Sequence, residues 1–498
     1  MSKHRRDPES RVRLPAILAI GFTGHRILPD ESMGRRLIRG FLEERKAATA
    51  GIVCGVSSAA AGADLLFAES CLEFGIPLRV LLPMPRERFR EDFDASTWER
   101  TERVLEAATS VEVAGDHEQR RDGYYECGIR IVQQSQLLLT LWNGQDSRGM
   151  GGTADIVEFA RAIGRPVVSF HSGSGEQEIF NREAMTEMLT DPELDFLNGL
   201  PDAATNSPPD GEEALAREWL RKMDANASRL APLSRKLASV PVIYTAAAAL
   251  FSGIATRSPG GRTWMAISVV LAIIAAFLPR ILRLDRWQMR WARTRTAAEV
   301  ARSMIALWNT PATYDVVGPE MIPDLAGVLR SLAFLRMKDN ARCSLSLEQF
   351  RHAYYEERVC EQIRYFSSKA DQAARERRAF LFLTLISSGL GVLVAAFWLA
   401  GQIAGRVPHA HLGGWIPFVI SALFQIATVA GALAIIDDCA RRQQRYRELE
   451  RWLQNWSPQF QALQTWGSVL EVAGRVERSL LVELLEWRSL MRHAKPPK

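Results

Sequence analysis

None of the six cysteines, Cys54, Cys71, Cys127, Cys343, Cys360 and Cys439, stands in a paired or metal-type spacing. A disulfide framework and a structural zinc site are therefore not expected, and the cysteines read as reduced packing residues in a cytosolic setting. Charge of one sign is scarce too. The net charge is only +5 over 498 residues, with no basic stripe interleaved with aromatics and no RNA-module signature, so nucleic acid is not an expected partner. A cleavable leader is not expected either. The basic N-terminus runs into "LPAILAIGF", which lacks a small-residue cleavage site and flows into "TGHR", so a buried strand explains it better than a signal peptide. The long apolar runs carry no internal charge, which argues against a proton-coupled transporter.

At this length two or three domains are expected. The mean hydropathy is near zero, but it averages over a segregated chain, with apolar runs concentrated in the C-terminal half between arginine-dense blocks. In the first third, short apolar runs alternate with helical patterns. The strand candidates are residues 16–22, 51–57, 77–83, 110–115, 137–144 and 165–170, with helices near 30–47, 62–74, 97–108, 124–136 and 153–163. Runs apolar on both faces and separated by helix-length segments predict an α/β, Rossmann-like, doubly wound parallel sheet. Ligands bind such sheets beyond the carboxyl ends of the strands.

Three loops at that edge have the chemistry for an anion. "GFTGHR" follows the first strand, where Gly21 and Gly24 permit close backbone approach, Thr23 offers a hydroxyl, and His25 and Arg26 supply donors. "SSAAAGADLLFAES" follows the second, with Gly62 at a helix start and Asp64 in its first turn, placed to cap the helix or to hold a ribose hydroxyl. "RGMGGTADIVEFA" follows "LLLTLWNG", with Gly151, Gly152 and Thr153 at a helix N-terminus. Free amides and the helix dipole favour an anion there. No metal cluster is visible in the pattern.

These three motifs in order resemble the SLOG superfamily of Rossmann-like nucleotide-binding domains, over about residues 14–172. That group includes LOG phosphoribohydrolases and nucleotide-sensing domains of bacterial defence systems. The resemblance implies that Gly21, Thr23, Gly24, His25, Arg26, Gly62, Asp64, Gly151, Gly152 and Thr153 line a nucleotide pocket. LOG enzymes carry a PGG-x-GT-xx-E pattern whose glutamate does the hydrolytic work. Here the residue three past Thr153 is Ile156, while Glu158 stands on a different face of the helix and Asp155 lacks a partner base. Binding is thus favoured over catalysis, and no catalytic residue is assigned.

The remaining two thirds hold four apolar stretches, 237–255, 264–279, 379–400 and 415–436, long enough to predict an all-α membrane region of two transmembrane hairpins. "KMDANASR" (222–229) precedes the first pair and "KADQAARE" (369–376) the second. Lys222, Asp224 and Ala227 match Lys369, Asp371 and Ala374 at one constant offset, and arginine-rich helices ending in Trp308 and Trp456 follow the hairpins. A duplication is the economical explanation. With "YYEERVCEQIRYFSSKAD" (354–371) leading in, the second unit looks like the SLATT group of two-transmembrane effector domains, which is associated with SLOG domains. Expected boundaries are 1–175 for the nucleotide-binding domain, 176–212 for a linker, 213–312 for the first two-transmembrane unit, 313–347 for a connector and 348–498 for the second unit.

Arginines flank both hairpins on their non-tip side, so a multi-pass protein of the inner (cytoplasmic) membrane with both termini cytoplasmic is expected. Ser421, Gln425 and Thr428 form a polar stripe on the last apolar stretch; they line a pore or bond neighbouring helices. Together the resemblances imply a membrane effector gated by a nucleotide signal in prokaryotic antiviral defence. Its hairpins would oligomerise as a homo-oligomer and permeabilise the membrane. The ligand would be an ADP-ribose derivative or a cyclic oligonucleotide, supplied by a signal-synthesising enzyme, with no prosthetic group. The alternatives are a membrane-tethered nucleotide hydrolase and a constitutive membrane scaffold.

Overall fold

The computed structural model describes residues 12–145, 151–187, 190–203, 209–281, 284–311, 321–339, 345–404 and 414–493. By compactness the chain divides into two units, Met1–Lys222 with Val300–Ser344, and Met223–Glu299 with Leu345–Lys498.

In the first unit the elements alternate as their periodicity predicts. They run β1 (Ile17–Gly24), α1 (Glu31–Ala48), β2 (Ile52–Ser57), α2 (Ala63–Glu73), β3 (Leu78–Leu82), α3 (Arg86–Arg90), α4 (Ala95–Ala107), β4 (Ser110–Val113), α5 (Arg120–Gln134), β5 (Leu137–Trp142), α6 (Thr153–Ala162), β6 (Val167–His171), β7 (Gln177–Phe180), α7 (Arg182–Glu187) and α8 (Pro192–Asn198). Asp30 and Asp94 start α1 and α4 by accepting the amides of Met33 and Thr97. The seven strands lie in the order β4-β3-β2-β1-β5-β6-β7. All neighbours are parallel except β7, which runs antiparallel on β6. Both faces are covered. Leu18, Ile20 and Phe22 of β1 join the core made with α2, where Phe22 stacks on Phe67. Ala19 shares the opposite core with Cys127 and Ile131 of α5 and Ile156 of α6.

Strand order reverses at β1. From β1 the chain steps outward through β2, β3 and β4, then returns to place β5 on β1's other side. Such a switch point opens a crevice at the carboxyl ends of β1 and β5.

The stretch 176–212 contains β7, α7 and α8 in addition to irregular chain. Residues 300–344 fall with the sheet. There α12 (Ala326–Lys338) buries Phe334 and Met337 against Ile17 and Cys54, and its Ser331 hydroxyl donates to the Pro15 carbonyl. The first turns of α9 (Glu212–Ala255) also belong to this unit. The Trp219 indole donates to the Asn198 side chain, and fully buried Lys222 donates to the carbonyls of Val12 and Asn198 and pairs with Asp202.

The second unit is helical. It holds the rest of α9, then α10 (Gly261–Ile281), most of α11 (Leu284–Ala306), α13 (Leu347–Ala353), a π-helical segment (Tyr354–Cys360), α14 (Glu361–Ile403), α15 (Ile416–Ile436), α16 (Cys439–Gln461) and α17 (Trp466–His493). Among the described residues three helices are long and apolar enough to cross a membrane: Gly261–Leu278, and stretches within Leu347–Ile403 and Ile416–Gln461. The expected fourth span, at the end of α9, is a shorter apolar helix, Ser239–Ala255. It lies among the others, however. The Ser268 hydroxyl of α10 donates to Ala248 O, Phe251 stacks on Trp264, and the Gln425 amide of α15 donates to Ala246 O.

The two similar segments share part of their surroundings, although Lys222 is fully buried and Lys369 only half-buried. Met223 and Asn226 are buried, as are Ala370 and Ala373 at the matching places. Asp224 pairs with Arg295 on α11, and Asp371 pairs with Arg447 on α16. In each repeat, then, the aspartate before the hairpin meets an arginine of the helix that follows it.

Candidate functional site

Parallel strands deliver their loops to one edge, and at the switch point two loops are tied together. The amide of His25, just past β1, donates to the carbonyl of Leu141 on β5, while its Nε2 accepts the amide of Asn143 just past β5. The β2–α2 loop closes on the same place. Gly62 has φ +89, and a Cβ on it would sit 2.3 Å from the Arg26 carbonyl oxygen and 2.5 Å from that of His25. Only glycine satisfies both conditions. Two residues earlier in the loop, buried Ala60 donates its amide to Ser58, and Ala59 adopts a left-handed φ of 53.

Asp64 knits these loops. Its carboxylate accepts the Gly24 amide at 3.0 Å and the Ser58 hydroxyl at 2.9 Å, so both oxygens are engaged within the protein and neither projects toward solvent. Burial pushes its pKa up to about 7, against the pull of the Ser58 and Gly24 hydrogen bonds and the Arg26 charge. The folded state therefore keeps a proton between about pH 4 and 7 that the unfolded chain releases. The stability from this group is full below that window and is lost as pH rises through it, by at most about 1.4 kcal/mol per pH unit. Asp64→Asn keeps the shape without the titration. Thermal unfolding of the full chain in detergent should show the parent losing stability relative to the variant from pH 4.5 to 7.5. A constant difference across that range would contradict the assignment.

The sequence placed Gly21 and Thr23 in a loop, but β1 runs through Gly24 because its backbone stays paired with β5. Gly21 is buried in the strand. A Cβ there would meet the Ser135 hydroxyl oxygen at 2.6 Å, and one on Gly24 would meet Ala63 Cβ at 2.5 Å. These glycines admit α5 and α2 against the strand. Thr23 lies beside Thr140 of β5, which lies beside Ser169 of β6. Thr140 is fully buried, and among the described residues its hydroxyl has no hydrogen-bond partner.

At α6, Gly151 has φ +92, and a Cβ on it would lie 2.8 Å from Arg121 O and 3.2 Å from Tyr125 N at the start of α5. Its amide donates to Asp155, whose carboxylate thus supplies a negative group to the helix start. Gly152 is the N-cap, without a side-chain cap bond, and Thr153 opens the helix. Arg148, Gly149 and Met150 lie outside the described residues. Ile156 is in the core, where it would strike a Cβ placed on Gly128 at 2.4 Å, and Glu158 is exposed. The residue three past Thr153 therefore points into the protein interior.

Sequence reasoning missed one side of this edge. The Arg26 guanidinium lies 4.7 Å over the Tyr124 ring. The Tyr124 hydroxyl donates to Asp92 at 2.7 Å, and Arg120 donates to the other oxygen of Asp92 at 2.8 Å. Arg120 and Tyr124 occupy the first turns of α5, so an aromatic four residues past an arginine at a helix start was the available signal. In the membrane-type helices, Ser421 is exposed, Gln425 bonds Ala246 O, and Thr428 donates to Phe424 O of its own helix. Among the described residues no group of three or more His, Cys, Asp or Glu side chains could hold a metal ion. Comparison with protein families finds no model that matches the chain, and comparison with curated proteins finds no match either.

Proposed function

We propose that this chain is a membrane effector of the SLOG–SLATT kind, in which the sheet-bearing unit binds a nucleotide-derived ligand and the apolar helices respond by permeabilising a membrane. The observation that carries the reading is the convergence at the switch point. Loops from β1, β2 and β5 meet through His25, Gly62 and Asn143, and β5 leads to the N-terminus of α6, whose N-cap Gly152 makes no side-chain bond, so that first-turn amides and the helix dipole attract a phosphate there. Hydrolysis is disfavoured because Ile156 is buried and Glu158 exposed. The test is calorimetric titration of the full chain in detergent with a nucleotide panel that includes ADP-ribose and cyclic oligonucleotides. One of them should bind without releasing base, and multiple turnovers would favour the hydrolase instead.

Four spans are part of the proposal. The Ser239–Ala255 helix is short, but its contacts with α10 and α15 place it among apolar helices, and flanking Arg257 reaches the Gly414 carbonyl. With Arg375, Arg377, Arg378 and Arg441 at the opposite ends of the spans, the hairpin tips face the periplasm and both termini the cytoplasm. Cysteine introduced at Pro259 should react with an impermeant thiol reagent added to intact spheroplasts. Reaction only after lysis would reject this topology.

A further inference from the structure

We infer that Tyr124 is the stacking platform for the base of the nucleotide, which makes the ligand class an aromatic base carrying phosphate; this rests on the nucleotide-binding reading above. The Arg26 guanidinium lies 4.7 Å from the ring centroid. At the backbone end of the same side chain, a Cβ on Gly151 would come 3.6 Å from Tyr124 Cβ. A base resting on this ring would thus lie next to the helix start proposed for its phosphate.

The ring is fixed while its cover is loose. The Tyr124 hydroxyl donates to Asp92 at 2.7 Å, and Asp92 is held from its other oxygen by Arg120 at 2.8 Å. A phenol anchored at its oxygen presents a face of defined position, which reduces the ordering cost of stacking. Arg26 has no such anchor. Its side chain is 50% exposed, and its nearest carboxylate oxygen, on Asp92, is 3.9 Å away, too far for a hydrogen bond. A guanidinium and a nucleobase are both flat groups that stack on aromatic faces. A base can therefore replace Arg26 on the ring, and the released guanidinium is then available to a phosphate oxygen as a charge-assisted donor.

The experiment compares AMP with ribose 5-phosphate, which share sugar and phosphate and differ in the base, by titration of the full chain in detergent. The parent should bind AMP at least tenfold more tightly. Tyr124→Leu should erase that preference while leaving the Kd for ribose 5-phosphate within about twofold, and Tyr124→Phe, which keeps the face, should retain it. Equal binding of the two probes by the parent would overturn the platform and leave the phosphate site standing. Failure of the parent to bind either at millimolar concentration would overturn the nucleotide reading of this edge along with it. Parallel loss of both probes in Tyr124→Leu, accompanied by a lower melting temperature, would make Tyr124 a packing residue only.

Discussion

Glu477→Ala should destabilise the helical unit by about 3–5 kcal/mol, the range for removing one partner of a buried ion pair. Glu477 on α17 is fully buried, and the Arg358 side chain facing it is 7% exposed. Two charge-assisted bonds join them, at 2.8 and 2.6 Å, and the Tyr354 hydroxyl donates to the same carboxylate at 2.9 Å. Alanine would strand a guanidinium whose pKa burial pulls down but the attraction of Glu477 holds above its usual value, and would leave the buried Tyr354 hydroxyl with its longer, 3.4 Å bond to Ala473 O. Arg358 and Tyr354 lie on the π-helical segment that leads into α14, so the loss falls at the base of an apolar helix. The pair need not stabilise the fold relative to hydrocarbon. Glu477→Leu with Arg358→Met should therefore recover most of the loss. Denaturant unfolding followed by tryptophan fluorescence would measure both, and a cost below about 1 kcal/mol for Glu477→Ala would contradict this view.

Periodicity carried most of the sheet. Each of the six predicted strands is present within a few residues, because parallel strands buried on both faces are uninterrupted apolar runs. The antiparallel β7, "QEIF", was not legible. An edge strand with exposed residues has no such run. Nor was the placement of α12, since its Phe334 and Met337 reach Ile17 and Cys54 across some three hundred residues of chain. At the candidate site the glycine-bearing loops could be read because left-handed or closely approached backbone selects glycine, as at Gly62 and Gly151. Gly21 and Gly24 look the same in sequence but serve helix packing against β1. Of the Arg26–Tyr124–Asp92–Arg120 group only Arg26 was legible, in "GFTGHR"; Asp92, Arg120 and Tyr124 stand on other segments whose one signal was the spacing of Arg120 and Tyr124. The apolar end of α9 was read as a span from composition alone, and its length falls short of the other three.

Gly152→Asp bears on the proposed coupling between ligand and membrane. Gly152 is the N-cap of α6 with φ −77 and ψ 166, a conformation open to any residue and one in which aspartate is among the preferred caps. The substitution should therefore leave the fold intact or slightly stabilise it. Its carboxylate would bond the first-turn amides that a phosphate needs and would repel the phosphate itself. Driving a closed population from 1:99 to 99:1 requires about 5.5 kcal/mol of differential binding. Even partial loss of ligand contacts should then leave the helices closed, because a ligand shifts an equilibrium only by its preference for one state.

The decisive measurement is potential-dye fluorescence of liposomes that hold the full chain and a potassium gradient, on addition of the nucleotide that binds most tightly in titration. Parent protein should collapse the potential on nucleotide addition, and Gly152→Asp, inserted to the same extent, should hold it. Equal collapse by the variant, or a nucleotide-independent leak by the parent, would contradict the account.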